Sequence, residues 1–196
     1  MEYCCVSWNS YLEYIQNIIK FELEKYPSRI TLVDLRVDNM NIAQYNELLT
    51  SPKFHEYIPT EMFLVFQTDT VILPQNAHLI DGFLDYDYVG APWTDCQVGN
   101  GGFSLRRKSK MLELIEKVPF IKGEAEDGYF SQYSGRPNND FSIKVVKPSP
   151  EKAKQFSVET VFYDQPFGCH KPWCYIPKFV ELHPEVQKLS NLQFSI

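Results

Sequence analysis

The chain has 196 residues, enough for one domain with a substantial core and too few for two comfortable ones. Its hydrophobic share of 44% and charged share of 22% are ordinary for a globular protein, which argues against a disordered or fibrous chain. The net charge of −6, from 19 basic and 25 acidic residues, argues against nucleic acid as the main partner, because phosphate binding depends on Lys and Arg.

Membrane and export signals are missing from the sequence. No apolar run approaches the ~20 residues of a membrane span, and the N-terminus lacks the pattern of a signal peptide. The five cysteines are odd in number and lack the CxxC pairs of zinc sites. Reduced thiols are the simplest account, so we expect a cytoplasmic protein with no transmembrane segment.

The order of predicted elements sets the expected fold. Strands are predicted at 2–6, 30–35, 63–66, 88–93 and 103–106, and helices at 10–27, 41–50, 77–83, 110–118, from 126 and from 150. Ser109 is the predicted N-cap of the fourth helix, and the tail from Phe167 is expected to be irregular because Pro and aromatic residues are dense there. Strands alternating with helices favour a single α/β domain with a mainly parallel central sheet flanked by helices.

A polar triplet, Gln67, Thr68 and Asp69, follows the predicted strand Phe63–Phe66. Four apolar residues rich in β-formers predict a buried strand in the middle of a sheet. A carboxylate at the carboxyl end of such a strand lies where open α/β sheets bind ligands. The alternative is that Asp69 only caps the next turn.

Three glycines occur within the segment Gly99–Gly102. They allow the backbone to approach a ligand closely or to adopt positive φ, and a plain tight turn is an equal alternative. The spacing excludes a P-loop and a dinucleotide fingerprint. The following run, Leu105–Lys108, is a candidate for a local basic pocket.

Two later clusters carry titratable groups. Glu126 and Asp127 start a predicted helix, whose dipole keeps a carboxylate ionised and available as a base. The alternative is ordinary helix-start electrostatics. His170 lies between small and aromatic residues beside Lys171, where it is a candidate for metal ligation or phosphate contact, although a lone His is more often structural.

In this order the four clusters resemble metal-dependent glycosyltransferases of the GT-A fold, a Rossmann-like α/β architecture. Those enzymes carry an Asp-x-Asp motif, a glycine-rich loop, an x-Glu-Asp motif and a late His. A closer resemblance, covering Tyr45 to Trp173, is to a largely uncharacterised glycosyltransferase-like domain family. The segments that carry it are Tyr45–Leu49, Phe66–Asp69, Gly90–Trp93, Gly99–Arg106, Glu126–Asp127 and Pro166–Trp173.

The resemblance implies one domain over 1–196, with a nucleotide-binding half at 1–66 and an acceptor and catalytic half at 67–196. It implies transfer of a sugar from a nucleotide-sugar donor to a hydroxyl of a carbohydrate or glycoconjugate acceptor, assisted by Mn²⁺ or Mg²⁺. Asp69 and His170 are then the implied metal ligands and Asp127 the general base, with Glu126 holding sugar hydroxyls. The implied donor and acceptor contacts are Gln67, Thr68, Trp93, Asn100, Gly101, Gly102, Lys171 and Trp173.

Two departures from the GT-A pattern keep other functions open. Gln67 replaces the first Asp of the metal motif, and only 66 residues precede it, a short nucleotide-binding half. A non-catalytic GT-A-like binding module is therefore the main alternative. A hydrolase that uses Glu126 or Asp127 with another carboxylate across a cleft is the third.

Overall fold

The structure is a computed structural model of the chain, and it describes residues 3–5, 30–32, 40–67, 69–132 and 143–187. Its strands are β1 (Tyr3–Cys5), β2 (Ile30–Leu32), β3 (Met62–Phe66), β4 (Thr70–Ile72), β5 (Tyr88–Gly90), β6 (Phe103–Arg107), β7 (Ser157–Val158) and β8 (Gly168–His170). Its α-helices are α1 (Ile42–Leu49), α2 (Pro52–Glu56), α3 (Lys108–Lys117), α4 (Glu126–Gln132), α5 (Pro150–Phe156) and α6 (Ile176–Leu182). Short 3₁₀ helices cover Pro74–Phe83, Trp173–Tyr175 and Pro184–Val186.

The described strands form three small sheets. β1 and β2 pair in parallel. β6 is the centre of a second sheet, antiparallel to both β3 and β5. β8 is the centre of a third, antiparallel to β4 and parallel to β7.

The α/β class is therefore confirmed, but the expectation of a mainly parallel sheet holds only in part. Of the five strand pairs described, only β1–β2 and β7–β8 are parallel. The loop between β5 and β6 contains no helix, so the chain turns directly back beside itself and the two strands run antiparallel. Alternation of elements along the sequence does not reveal that reversal.

An aromatic cluster joins the second and third sheets. Phe103 of β6 stacks on Phe156 of α5 and on Phe167 just before β8, with ring centroids 5.0 and 5.6 Å apart. All three side chains are almost completely buried. Burial of an aromatic side chain contributes roughly 1.5–3 kcal/mol, so this stack fixes the start of β6 against the start of β8. The residues just before β6 and at the end of β8 are thereby brought together.

Local signals located most helix starts. Asn41 and Gln44 form the capping box of α1, with both hydrogen bonds 2.9 Å long. Ser149 accepts the Lys152 N–H at 3.3 Å at the start of α5. The predicted start of α3 is wrong: the helix begins at Lys108, and the Ser109 hydroxyl hydrogen-bonds the Glu61 side chain instead of capping.

The predicted irregular tail is also wrong in part. It contains β8 and α6. Pro177 lies in the first turn of α6, a position where the missing N–H costs no hydrogen bond. The short helix predicted at 77–83 is a 3₁₀ helix from Pro74. The predicted helix 10–27 and the end of the strand 30–35 lie outside the described residues. Within the described ranges, no helix is long and apolar enough to cross a membrane.

Candidate active site

Strand pairing brings the predicted residues Asp69 and His170 together. In the antiparallel pair of β4 and β8, Thr70 lies opposite His170. Asp69 precedes β4 and Lys171 follows β8, and the pairing continues past the strand ends because the Lys171 N–H donates to the Asp69 carbonyl at 3.2 Å. Residues 101 sequence positions apart thus meet at one end of this small sheet.

The side chains at this end form a group that we call the His170 cluster: Gln67, Asp69, Glu159, His170 and Lys171. His170 Nε2 lies 3.2 Å from Asp69 Oδ1 and 3.1 Å from Gln67 Oε1. Lys171 Nζ lies 3.6 Å from Asp69 Oδ2 and 3.5 Å from Gln67 Oε1. Asp69 Oδ1 is buried and makes no well-aligned hydrogen bond, so it keeps the capacity to accept one more partner.

Glu159 is a member that the sequence interpretation missed. The parallel register of β7 and β8 pairs Val158 with Cys169, which places Glu159 beside His170. Glu159 Oε1 lies 3.3 Å from His170 Nδ1, and Glu159 Oε2 accepts a hydrogen bond of 2.5 Å from Asn100 Nδ2. The strand β7 has only two residues, too few for a recognisable period, so the sequence offered no signal for this neighbour.

The electrostatics of the cluster follow from this packing. Burial acts to lower the pKa of His170, but Asp69 and Glu159 on its two sides outweigh that effect and raise the pKa above its usual value. Burial acts to raise the pKa of Asp69, but His170 and Lys171 outweigh it and hold the pKa below its usual value. Asp69 is therefore a carboxylate at neutral pH despite its burial.

Gly101 and Gly102 lie between the His170 cluster and the side chains of Glu126 and Asp127. A Cβ on Gly102 would overlap the imidazole of His170, and a Cβ on Gly101 would overlap the Glu126 and Asp127 side chains. Neither glycine has positive φ, so close packing and not backbone freedom requires them here. His170 and Asp127 thus lie against adjacent residues of one segment.

Asp127, the predicted general base, lies in the first turn of α4 and is partly exposed. Its Oδ2 accepts the Gly101 N–H at 3.2 Å, and its Oδ1 accepts the Gly128 N–H at 2.7 Å. The two backbone donors fix the orientation of the carboxylate. Each oxygen keeps a further lone pair with which it can accept a proton from a bound hydroxyl.

Glu126 forms a second arrangement, which we call the Arg106 pair. Arg106 NH1 and NH2 contact the two Glu126 oxygens at 2.6 and 3.0 Å, and the residues are 0% and 3% exposed. Both carboxylate oxygens are therefore occupied inside the protein. This argues against the prediction that Glu126 holds sugar hydroxyls, because the carboxylate is buried and paired with a buried guanidinium.

Arg106 is itself fully enclosed. It lies over the rings of Tyr88 and Phe130, 5.1 and 5.4 Å from their centroids, and its Nε donates to Ser104 Oγ at 2.8 Å. Burial acts to lower its pKa, but Glu126 outweighs that effect and the pKa is raised, so the guanidinium stays charged. The expected basic pocket over Leu105–Lys108 is thus wrong. Arg107 pairs with Asp87, and Lys108 donates to a backbone carbonyl.

Tyr45 of α1 lies beside both arrangements. Burial, the largest effect, raises the pKa of its hydroxyl; Glu126 and Asp127 raise it further, and nearby Arg106 and Gln67 oppose them. The phenol therefore stays protonated at neutral pH.

The remaining predicted contacts divide into two groups. Asn100 is buried beside Glu159, and Trp93 is half-buried with its ring over Gly99, so both lie along the glycine segment. Trp173 packs against the core cluster that contains Val71, which favours a packing role over a sugar platform. Thr68 lies outside the described residues.

Two separations in the His170 cluster suit a divalent cation, although no group of three or more His, Cys, Asp and Glu side chains in the described ranges is arranged to hold a metal ion. Neighbouring ligands of an octahedral ion at ~2.1 Å lie about 3 Å apart. The separations of His170 Nε2 from Asp69 Oδ1 and Gln67 Oε1, 3.2 and 3.1 Å, match that spacing. With only one charged ligand, such an ion would take further oxygens from a bound phosphate.

The fold is one that a glycosyltransferase also adopts. The chain matches, with a TM-score of 0.51 and 14% identity over 95% of this chain and 90% of the other, a glycosyltransferase involved in glycosylation of the major capsid of PBCV-1. At this identity the likeness shows a shared α/β fold. Weaker likenesses are to A197 from STIV (TM-score 0.40, 15% identity, 76% of this chain and 81% of that one) and HddC from Yersinia pseudotuberculosis (0.35, 16%, 74% and 66%).

The chain belongs to the DUF5672 family, described as proteins of unknown function, whose model matches residues 29–170. The matched range includes the Arg106 pair, Asp127 and the His170 cluster except Lys171. No match was found among curated proteins.

Proposed function

We propose that the protein is a glycosyltransferase that moves a sugar from a nucleotide-sugar donor to an acceptor hydroxyl with the help of a divalent cation. The observation that supports this most is the meeting of Asp69, Gln67 and His170 beside Gly102, with Asp127 against the adjacent Gly101. A candidate cation-binding group and a candidate base therefore lie against the same glycine segment. The fold shared with a glycosyltransferase supports the same proposal.

Asp69, His170 and the Gln67 amide oxygen would hold Mn²⁺ or Mg²⁺. A bound divalent cation would supply positive charge to neutralise the diphosphate that leaves during transfer. Lys171 adds a flexible positive charge within 3.6 Å of Asp69, on the partly exposed side of the cluster. Its ammonium is suited to contact a phosphate oxygen as a point charge.

Asp127 would act on the acceptor. Its carboxylate is held by two backbone N–H groups and is partly exposed, so an incoming hydroxyl can hydrogen-bond to it without disturbing the fold. Removing the hydroxyl proton as the oxygen attacks the sugar contributes typically ~10²–10⁴ in rate. Glu126 precedes Asp127 in the chain, and its ion pair with Arg106 keeps the start of α4 in place.

The first experiment measures nucleoside diphosphate release from UDP-, GDP- and dTDP-linked sugars in the presence of Mn²⁺. We expect Asp127→Asn to reduce turnover by ~10²–10⁴ while the melting temperature stays close to that of the wild type. Asp81→Asn is the matched control, because Asp81 is an exposed carboxylate in the 3₁₀ helix Pro74–Phe83. Unchanged turnover in Asp127→Asn would reject the role of Asp127.

A non-catalytic binding module is the second candidate. Two observations favour it. Position 67 supplies a neutral amide, and both Glu126 oxygens are occupied by Arg106, so the site carries fewer available carboxylates than the GT-A motifs would provide. Nucleotide binding with no release from any donor would support this candidate over the enzyme.

A further inference from the structure

We propose that Glu159 is a positioning residue that holds the Nδ1 side of His170, so that Nε2 faces Asp69 and Gln67. The inference rests on the proposed function, since it gives His170 the orientation that a cation ligand needs. It concerns a residue that no sequence motif indicated. Glu159 does not contact the place where the cation would bind; it acts through the imidazole.

The sheet register provides the first argument. β8 is the central strand of its sheet, with β4 on one side and β7 on the other. Asp69 precedes β4 and Glu159 follows β7, so the two carboxylates flank His170 from opposite neighbouring strands. Each faces a different ring nitrogen, Nε2 for Asp69 and Nδ1 for Glu159.

Asn100 provides the second argument, because it fixes Glu159. Its amide donates to Glu159 Oε2 at 2.5 Å, while Glu159 Oε1 lies 3.3 Å from His170 Nδ1. Asn100 is 7% exposed and belongs to the glycine segment, whose next residues pack against Asp127 and His170. A chain of contacts thus runs from Asn100 through Glu159 and His170 to Asp69.

Close packing provides the third argument. Gly102 lies so near the imidazole that even one methyl group would overlap it. The ring is 3% exposed and therefore cannot turn freely. With Nε2 engaged by a cation, the remaining ring proton would reside on Nδ1, 3.3 Å from Glu159 Oε1, where the carboxylate would accept it. A carboxylate in this position raises the basicity of a ligating imidazole, and its loss typically reduces metal affinity by about 10–100-fold.

The test follows the Nδ1–H resonance of His170 by NMR in the full chain. The chain has four histidines, and the His170 signal is assigned by its loss in His170→Gln. We expect Glu159→Gln to shift this resonance or to broaden it by faster exchange with water. Glu116→Gln, the same change at an exposed position of α3, is the matched control and should leave it unchanged.

A second readout is the affinity for Mn²⁺ alone, followed by electron paramagnetic resonance. Glu159→Gln should weaken it by about 10–100-fold at an unchanged melting temperature. If Glu159→Gln fails to fold, Asn100→Ala should displace the same resonance to a smaller extent. An unchanged His170 resonance in the folded variant overturns the inference. Absence of sugar transfer by the wild type, with the resonance displaced as expected, rejects the proposed function and leaves the positioning role standing.

Discussion

The Arg106 pair and the His170 cluster both join carboxylates to cations beside the same glycine segment. They differ in how many of their buried polar atoms have a hydrogen-bond partner. Both oxygens of Glu126 contact Arg106, which also contacts Ser104 and two aromatic rings. In the His170 cluster, Asp69 Oδ1 and His170 Nδ1 are buried without a well-aligned hydrogen bond.

This difference supports a structural role for the Arg106 pair and the proposed binding role for the His170 cluster. A buried ion pair whose hydrogen bonds are satisfied holds a fold together only while both partners remain, and removal of one leaves an uncompensated charge. A buried carboxylate with spare acceptor capacity costs stability unless another partner is provided. The buried atoms of the His170 cluster that lack a hydrogen-bond partner are therefore the candidate contacts for the proposed ligand.

Breaking the Arg106 pair should give the largest loss of stability. We expect Arg106→Met to lower the free energy of unfolding by about 3–5 kcal/mol, because Glu126 is left buried and unpaired. Lys171→Met, the matched change in the His170 cluster, should cost less than about 1 kcal/mol since Lys171 is partly exposed. Urea unfolding of the two variants measures the contrast, and equal losses would contradict it.

The core next to the Arg106 pair also contains a pH-sensitive group, His55. Burial lowers its pKa from 6.5 to about 4, its Nδ1 bonds the Ser51 carbonyl, and its ring meets Phe130 beneath Arg106. Between these pH values the unfolded chain binds the extra proton, so stability is full above pH 6.5 and is lost as the pH falls toward 4. A difference of about 2.5 pKa units corresponds to about 3 kcal/mol.

Unfolding free energies measured from pH 7 to pH 4 test this. The His55→Gln variant lacks the titrating ring, so its curve should be flatter than that of the wild type by about that amount over this interval. Parallel curves for the two proteins would show that His55 contributes nothing to acid sensitivity.

Gly102→Ala should have a smaller effect on stability and act on the other side of the comparison. The added methyl group overlaps the buried His170 ring, and overpacking of this kind costs about 1–3 kcal/mol. Gly128→Ala is its control: nothing lies within 4 Å of the added Cβ, and α4 should gain about 0.5–1 kcal/mol from the change. The two variants should shift the melting temperature in opposite directions. An unchanged melting temperature in Gly102→Ala would contradict the close contact.

Local chemistry predicted much of the fold. The helices over 41–50 and from 150, the helix at Glu126 and the strand before Gln67 depend on neighbours within a few residues, and the structure confirms each of them. The antiparallel sheet was not predictable in that way, because strand direction depends on which distant segments pair. The start of α3 was misplaced since the tertiary contact of Ser109 with Glu61 replaced a cap.

The same division applies to the candidate site. The residue types of Asp69, Asp127 and His170 indicated a candidate site from the sequence alone. Glu159 did not, because its role depends on register beside β8 and on the Asn100 amide. The pairing of Glu126 with Arg106 could not be predicted from the sequence either, since the partners are 20 residues apart and on different elements.

The central claim is that the His170 cluster binds a cation together with the diphosphate of a nucleotide. The most direct measurement is the melting temperature of the wild type and of Asp69→Ala with UDP, GDP and dTDP, each with and without Mn²⁺. We expect at least one nucleotide to raise the wild-type melting temperature only when Mn²⁺ is present, corresponding to ~2.7 kcal/mol at a concentration 100 times the Kd. Asp69→Ala should lose that gain. No gain with any of the three nucleotides, or the same gain in Asp69→Ala, would contradict the claim.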